Sequence, residues 1–124
     1  MARVLLIDDD QSNLEFMRKL LQFEGHDLVW APDGGQGLEV LRQLHPDLVI
    51  CDVIMPRLGG YAVLEALRAD PQFFGVPMIL FSAAMTEEGR TIGLRRGANA
   101  VLAKPFDLEA LRGAIRQCLG QAQP

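Results

Sequence analysis

Five short aliphatic runs alternate with five longer stretches of helical periodicity, and this alternation restricts the fold more than any other property of the chain. The runs are Val4 to Ile7, Asp27 to Ala31, "DLVICD" at 47 to 52, "VPMILFSA" at 76 to 83 and "ANAVLAKP" at 98 to 105. The third has no polar alternation, the pattern of a strand buried on both faces. Between the runs, apolar residues recur at helical spacing: Leu14, Met17, Leu20 and Leu21, then Leu38, Leu41 and Leu44, then Val63, Leu64 and Leu67. The last stripe is Leu108, Leu111, Ile115 and Leu119. Strict strand-helix alternation predicts a parallel sheet with helices on both faces and right-handed crossovers. Periodicity carries no strand order.

The punctuation supports these elements. Gly25 is a stop for the first helix, and His45-Pro46 and Asp70-Pro71 end the second and third, because a residue before proline disfavours helical backbone. Thr86 is a candidate N-cap followed by Glu87 and Glu88, and Asp107 caps the last helix. Gly89 and Gly93 each cost the fourth helix about 1 kcal/mol relative to alanine, so it is expected to be the loosest element. A chain of 124 residues makes one domain, expected over residues 1 to 120, with 121 to 124 a short polar tail that is either a true end or the start of a linker.

Several function classes are excluded. A net charge of -4 disfavours direct nucleic-acid binding, and one tryptophan and one tyrosine make no base-stacking platform. The apolar runs are too short to cross a membrane, and the first stops at Asp8, unlike a signal peptide. A cytoplasmic protein is expected. Cys51 and Cys118 have no metal-ligand spacing and read as buried free thiols, and His26 and His45 as surface residues.

In an open α/β sheet, ligands gather beyond the carboxyl ends of the strands. Asp8, Asp9 and Asp10 follow the first run, Asp52 closes the third, Ser82 follows the fourth and Lys104 the fifth. Singly these are turn residues, caps or solvated charges, and Asp10 reads as a cap. Together they form a coherent set. Clustered carboxylates suit a hard cation such as Mg2+, a lysine and a hydroxyl suit phosphoryl oxygens, and an aspartate can itself become an acyl phosphate.

The blocks "LLIDDD", "DLVICDVIMPRLGG", "PMILFSA" and "GANAVLAKPF" resemble, in order and across essentially the whole chain, the signatures of the bacterial response-regulator receiver domain. The resemblance implies a flavodoxin-like doubly wound (βα)5 fold with strand order 2-1-3-4-5. It implies that Asp52 accepts a phosphoryl group from a sensor histidine kinase or a histidine phosphotransfer protein. Asp8, Asp9, Asp52 and the backbone carbonyl of Ile54 would hold Mg2+, with Ser82 and Lys104 on the phosphoryl group. The Lys104-Pro105 peptide would be cis. Gln11, Ser12, Asn13, Leu14 and Met17, with Pro105 and Phe106, would meet the histidine-bearing partner, and a downstream protein would read the result. Phe106 would either dock or fold back onto the last helix.

Two positions depart from the family pattern. Val101 stands where receivers commonly carry an aromatic switch residue, so Ser82 and the fourth helix are expected to carry the change without a ring. Ile54 and Ala84, which flank the phosphoryl position, offer no hydrogen bond to an attacking water. Two other readings compete. A haloacid-dehalogenase-type phosphatase needs a second acid where Ile54 stands and room for a lid. A pseudo-receiver that only binds protein predicts the loss of an acid, Asp52 or Lys104, and all are present.

Overall fold

The computed structural model describes residues 1 to 120. Its strands are β1 (Arg3–Ile7), β2 (Asp27–Ala31), β3 (Leu48–Asp52), β4 (Met78–Ser82) and β5 (Ala100–Ala103). Its helices are α1 (Leu14–Phe23), α2 (Gly34–Leu44), α3 (Gly60–Ala69), α4 (Glu87–Arg95) and α5 (Leu108–Leu119), with a 3-10 turn over Gln11–Asn13. All strand pairings are parallel, in the order β2-β1-β3-β4-β5. The expected flavodoxin-like arrangement is therefore present, and the expected tail at 121 to 124 lies outside the described residues.

Strand alternation divides the core between the two faces of the sheet. Val4, Leu6, Leu48, Ile50, Ile79 and Phe81 pack with Met17, Leu20 and Leu21 of α1 and Leu111, Ala114 and Ile115 of α5. Leu5, Ile7, Val49, Cys51, Met78, Leu80 and Val101 pack with Leu41 of α2 and Val63, Leu64 and Leu67 of α3. Side chains one residue apart point to opposite faces, so each of these strands serves both layers. The register aligns Ile7 with Cys51, Asp52 with Phe81 and Ser82 with Ala103, which brings the strand ends level on one edge.

The predicted caps form. The Thr86 hydroxyl accepts from Gly89 N at 3.0 Å, and the Asp107 carboxylate accepts from Glu109 N at 3.1 Å. The Asp47 carboxylate accepts the Arg3 N–H at 2.8 Å and ties the entry of β3 to β1. Gly93 is the only buried residue of α4, consistent with a lightly anchored helix. It is more than a weak helix former, because a Cβ there would lie 2.9 Å from Val101 Cγ2 and 3.4 Å from Leu80 Cδ1. Glycine lets α4 lie close against β5. Gly60 does the same for α3, since a Cβ would meet the Asp52 carbonyl oxygen at 2.6 Å.

Two expectations about isolated residues need correction. His26 is buried, not on the surface: its Nδ1 accepts the Ala2 N–H at 3.1 Å because β2 begins beside the chain's start, where Asp27 N bonds Ala2 O. Cys118 is half-buried, while Cys51 is buried as expected. His45 is exposed, and its left-handed backbone (φ 52) closes α2. The second non-glycine residue with positive φ is Arg57, at 72°, in the loop after β3. That conformation costs a side chain of this kind about 1 kcal/mol or more.

Candidate functional site

The β1 ladder runs one residue past the strand: Asp8 N donates to Ala31 O at 3.1 Å, and the Trp30 indole N–H donates to Asp8 O at 2.8 Å. With its backbone held on both sides, Asp8 is fully buried, and its Oδ1 accepts the Asp10 N–H at 3.0 Å. Asp52 ends β3 almost buried, with Oδ1 accepting from Ile54 N at 3.2 Å. Lys104 follows β5, and its N–H donates to Ser82 O at 3.0 Å, prolonging that ladder too. Its ammonium then stands 3.3 Å from Asp52 Oδ2 and 3.4 Å from Asp8 Oδ2. It also lies 4.8 Å from the centre of the Phe81 ring, within cation–π range. Asp9 is exposed, and its carboxylate lies within 4.8 Å of those of Asp8 and Asp52.

Three carboxylates thus face one ammonium. Burial pushes the Asp8 carboxyl above its ordinary range, opposed by the Asp10 N–H and by Lys104. Burial also works against the Lys104 ammonium, but the charges of Asp8 and Asp52 outweigh it and hold the lysine's pKa above its usual value. The lysine stays charged and leaves a net negative pocket. Oxygen donors, an uncompensated negative charge and one exposed carboxylate suit a hard divalent cation that keeps part of its water shell. The residues present therefore fit the metal that receiver domains bind at such a pocket.

Most of the predicted polar residues converge. Asp8, Asp9, Asp52 and Lys104 form one cluster, and Ser82 is buried at the adjacent strand end, its Oγ accepting from Ala84 N at 3.1 Å. Asp10 caps the 3-10 turn through Ser12 N, as expected. The Ile54 side chain is exposed, and Val101 is buried beneath α4. The Lys104-Pro105 peptide is cis.

The expected partner face is less complete. Gln11, Ser12 and Pro105 are exposed, and Asn13 and Leu14 are half-buried. Met17 is corrected: it is wholly buried, because it lies on the α1 stripe that faces the sheet. Phe106 is half-buried. Its ring sits edge-on to Phe81 at 5.1 Å and stacks on Phe16 at 6.4 Å. Phe16 and Phe23, which the periodicity did not single out, and Leu108, expected on the last apolar stripe, are exposed around an apolar hollow of about 280 Å³. Phe16 and Phe23 fall off the apolar stripe of α1, and this was the available signal.

Comparison with known proteins agrees with this geometry. The response regulator receiver domain family matches residues 4–116. The chain is 34% identical over 119 residues to protein PilH of Pseudomonas aeruginosa, covering 96% of this chain and 98% of that one. It is 37% identical over 122 residues to response regulator MprA of Mycobacterium leprae, covering 98% of this chain but spanning only 53% of MprA. Among solved structures, the chemotaxis protein CheY4 of Vibrio cholerae matches with a TM-score of 0.87 at 30% identity, covering 96% of this chain and 99% of that one. Receiver domains are switches in two-component signalling rather than turnover enzymes, and they engage histidine kinases or phosphotransfer proteins and downstream targets. No described helix is long and apolar enough to cross a membrane. By family match and fold alike, this chain belongs to the response regulator receiver domain family.

Proposed function

We propose that this domain is a phosphorylation-dependent switch that accepts a phosphoryl group onto Asp52 from the phosphohistidine of a sensor kinase or phosphotransfer protein. The observation that carries the reading is one ammonium, Lys104, held between Asp52 and the buried Asp8 in a pocket that still carries excess negative charge. A Coulomb-paired lysine of this kind can exchange a carboxylate for phosphoryl oxygens without losing its partner at Asp8.

In the reaction an Asp52 carboxylate oxygen forms a bond to phosphorus while the bond from phosphorus to the donor nitrogen breaks. Lys104 then follows the new negative charge. The Ser82 hydroxyl, now accepting from Ala84 N, turns to donate to a phosphoryl oxygen. Asp8, Asp9, Asp52 and the Ile54 carbonyl would hold Mg2+, which supplies neutralisation of the phosphoryl oxygens when bound. Val101 has no ring to swing, so movement at Ser82 passes to α4 through the close Gly93–Val101 packing and the Tyr61 hydroxyl, which donates to Gly89 O at 3.3 Å. Exposed, apolar Ile54 and Ala84 leave an attacking water unoriented, so autodephosphorylation is not fast. Gln11, Ser12, Asn13, Leu14, Pro105 and Phe106 form the donor-protein face, and a downstream protein reads the state. The setting is the cytoplasm, and residues 1 to 120 are the functional unit.

The test is intact mass after incubation with acetyl phosphate and Mg2+. Wild type should gain one phosphoryl group, Asp52→Asn none, and omission of the metal should prevent the gain. An unmodified wild type would leave a pseudo-receiver that acts by protein binding alone.

A further inference from the structure

The loop between β3 and α3 contains a residue that the domain itself does not use. Arg57 adopts left-handed backbone (φ 72), where glycine would be free of strain. It is exposed, and among the described residues its guanidinium makes no hydrogen bond or ion pair. The loop is not slack around it. Met55 is buried, Gly60 N donates to Val53 O at 2.9 Å, and a Cβ at Gly59 or Gly60 would lie 2.6 Å from the carbonyl oxygen of Val53 or Asp52. A strained position held this firmly, with no compensating contact inside the fold, points to a function outside it.

Its surroundings show what that function is. Arg57 and Asp9 line one hollow of about 380 Å³ with Pro32, Asp33, Gln36 and Pro56. Asp33 and Gln36 satisfy each other, with Oδ1 accepting the Gln36 N–H at 2.8 Å and Oδ2 its side-chain amide at 3.3 Å. Gln36 is neutral, so the hollow holds two carboxylates, Asp9 and Asp33, and a single cation, the Arg57 guanidinium. A phosphoryl donor arrives as an anion at a pocket lined by three carboxylates. Lys104, with its side chain only 15% exposed and committed to two of those carboxylates, cannot reach out to meet it. An unpaired cation on the rim can, through its charge.

We propose that Arg57 receives the phosphoryl oxygens of the incoming donor at the mouth of the site and steers them to Asp52. This rests on the reading of Asp52 as phosphoryl acceptor. Arg57 is a positioning residue and makes no bond: the oxygen–phosphorus bond forms at Asp52, and acetate leaves acetyl phosphate or ammonia leaves phosphoramidate. Rim charges act on encounter rates and on their salt dependence.

The test measures second-order phosphorylation of Asp52 by intact mass with Mg2+, using acetyl phosphate and phosphoramidate, at low and high salt. Arg57→Gly removes the cation while accepting the left-handed backbone, and Arg57→Lys keeps both the charge and the strain. Arg57→Gly should be roughly three- to tenfold slower with both donors at low ionic strength, a gap that closes as salt shortens the Debye length. Arg57→Lys should recover most of the rate. Equal rates for Arg57→Gly and wild type at low salt would overturn the proposal, and so would equal slowing of both variants or slowing confined to acetyl phosphate. Wild type inert to both donors would instead defeat the Asp52 reading.

Discussion

Two glycines within helices make a matched experiment on what holds α4 in place. Gly113 of α5 is exposed, and a Cβ there would meet nothing within 4 Å. Gly113→Ala therefore collects only the helix-propensity gain, about 1 kcal/mol. Gly93→Ala collects the same gain, but its new methyl lies 2.9 Å from Val101 Cγ2 and 3.4 Å from Leu80 Cδ1. Both neighbours are branched and buried, so neither gives way without α4 moving. Overpacking of this kind costs about 1 to 3 kcal/mol, which puts Gly93→Ala between neutral and about 2 kcal/mol destabilised. The gap between the two variants is then about 1 to 3 kcal/mol, or roughly 4 to 12 °C in Tm for a domain of this size. Thermal melts followed by circular dichroism, with denaturant midpoints as a check, resolve it. Adding Val101→Ala to Gly93→Ala removes the clashing methyl, so the pair should be strongly non-additive. A Gly93→Ala protein melting at or above Gly113→Ala would refute the argument that α4 is seated on β5 through the missing Cβ.

Two further outcomes follow from the site and the α1–α5 seam. Ile54→Asn places an amide beside Asp52 and should speed loss of the phosphoryl group severalfold, read from the decay of the phosphorylated mass; an unchanged decay would show that water is not limited by this position. Glu24 accepts two hydrogen bonds from Arg116 at 3.0 and 3.1 Å, and Arg112 lies 3.2 Å away. The Arg116 hydrogen bond, with both arginine charges, outweighs burial and holds the carboxyl below its ordinary 4.5. A depressed folded pKa contributes stability above that value and loses it as pH falls through the folded pKa. The Tm deficit of Glu24→Gln should thus be constant near neutrality and close in acid below about pH 4.5. A deficit that persisted there would mean that Glu24 acts through packing rather than charge.

The chemistry of this domain was legible because a parallel sheet exposes it in order. Each strand ends where its aliphatic run ends, so Asp8, Asp52, Ser82 and Lys104 could be placed on one edge without knowing the strand order. What stayed hidden was set by pairs of residues distant in the chain. His26 is buried because β2 begins beside Ala2, and Phe106 is held by Phe81 and Phe16, contacts no local pattern encodes. Met17 was different: the α1 stripe already placed it in the core, and its assignment to the partner face came from the family resemblance. Arg57 is invisible to periodicity because its distinguishing property is a backbone angle.

The chain's single tryptophan has a practical consequence for solution work. The Trp30 indole N–H is bonded to the carbonyl of Asp8, the residue that shares Lys104 with Asp52. An indole can only donate, so any shift of that carbonyl lengthens, breaks or re-aims the one strong bond the ring makes. The protein thereby carries its own fluorophore, wired to the first acid of the pocket and set on the neighbouring strand. Emission from unlabelled protein is therefore the natural readout to test for a response to added Mg2+ or acetyl phosphate, with no second indole in this sequence to subtract.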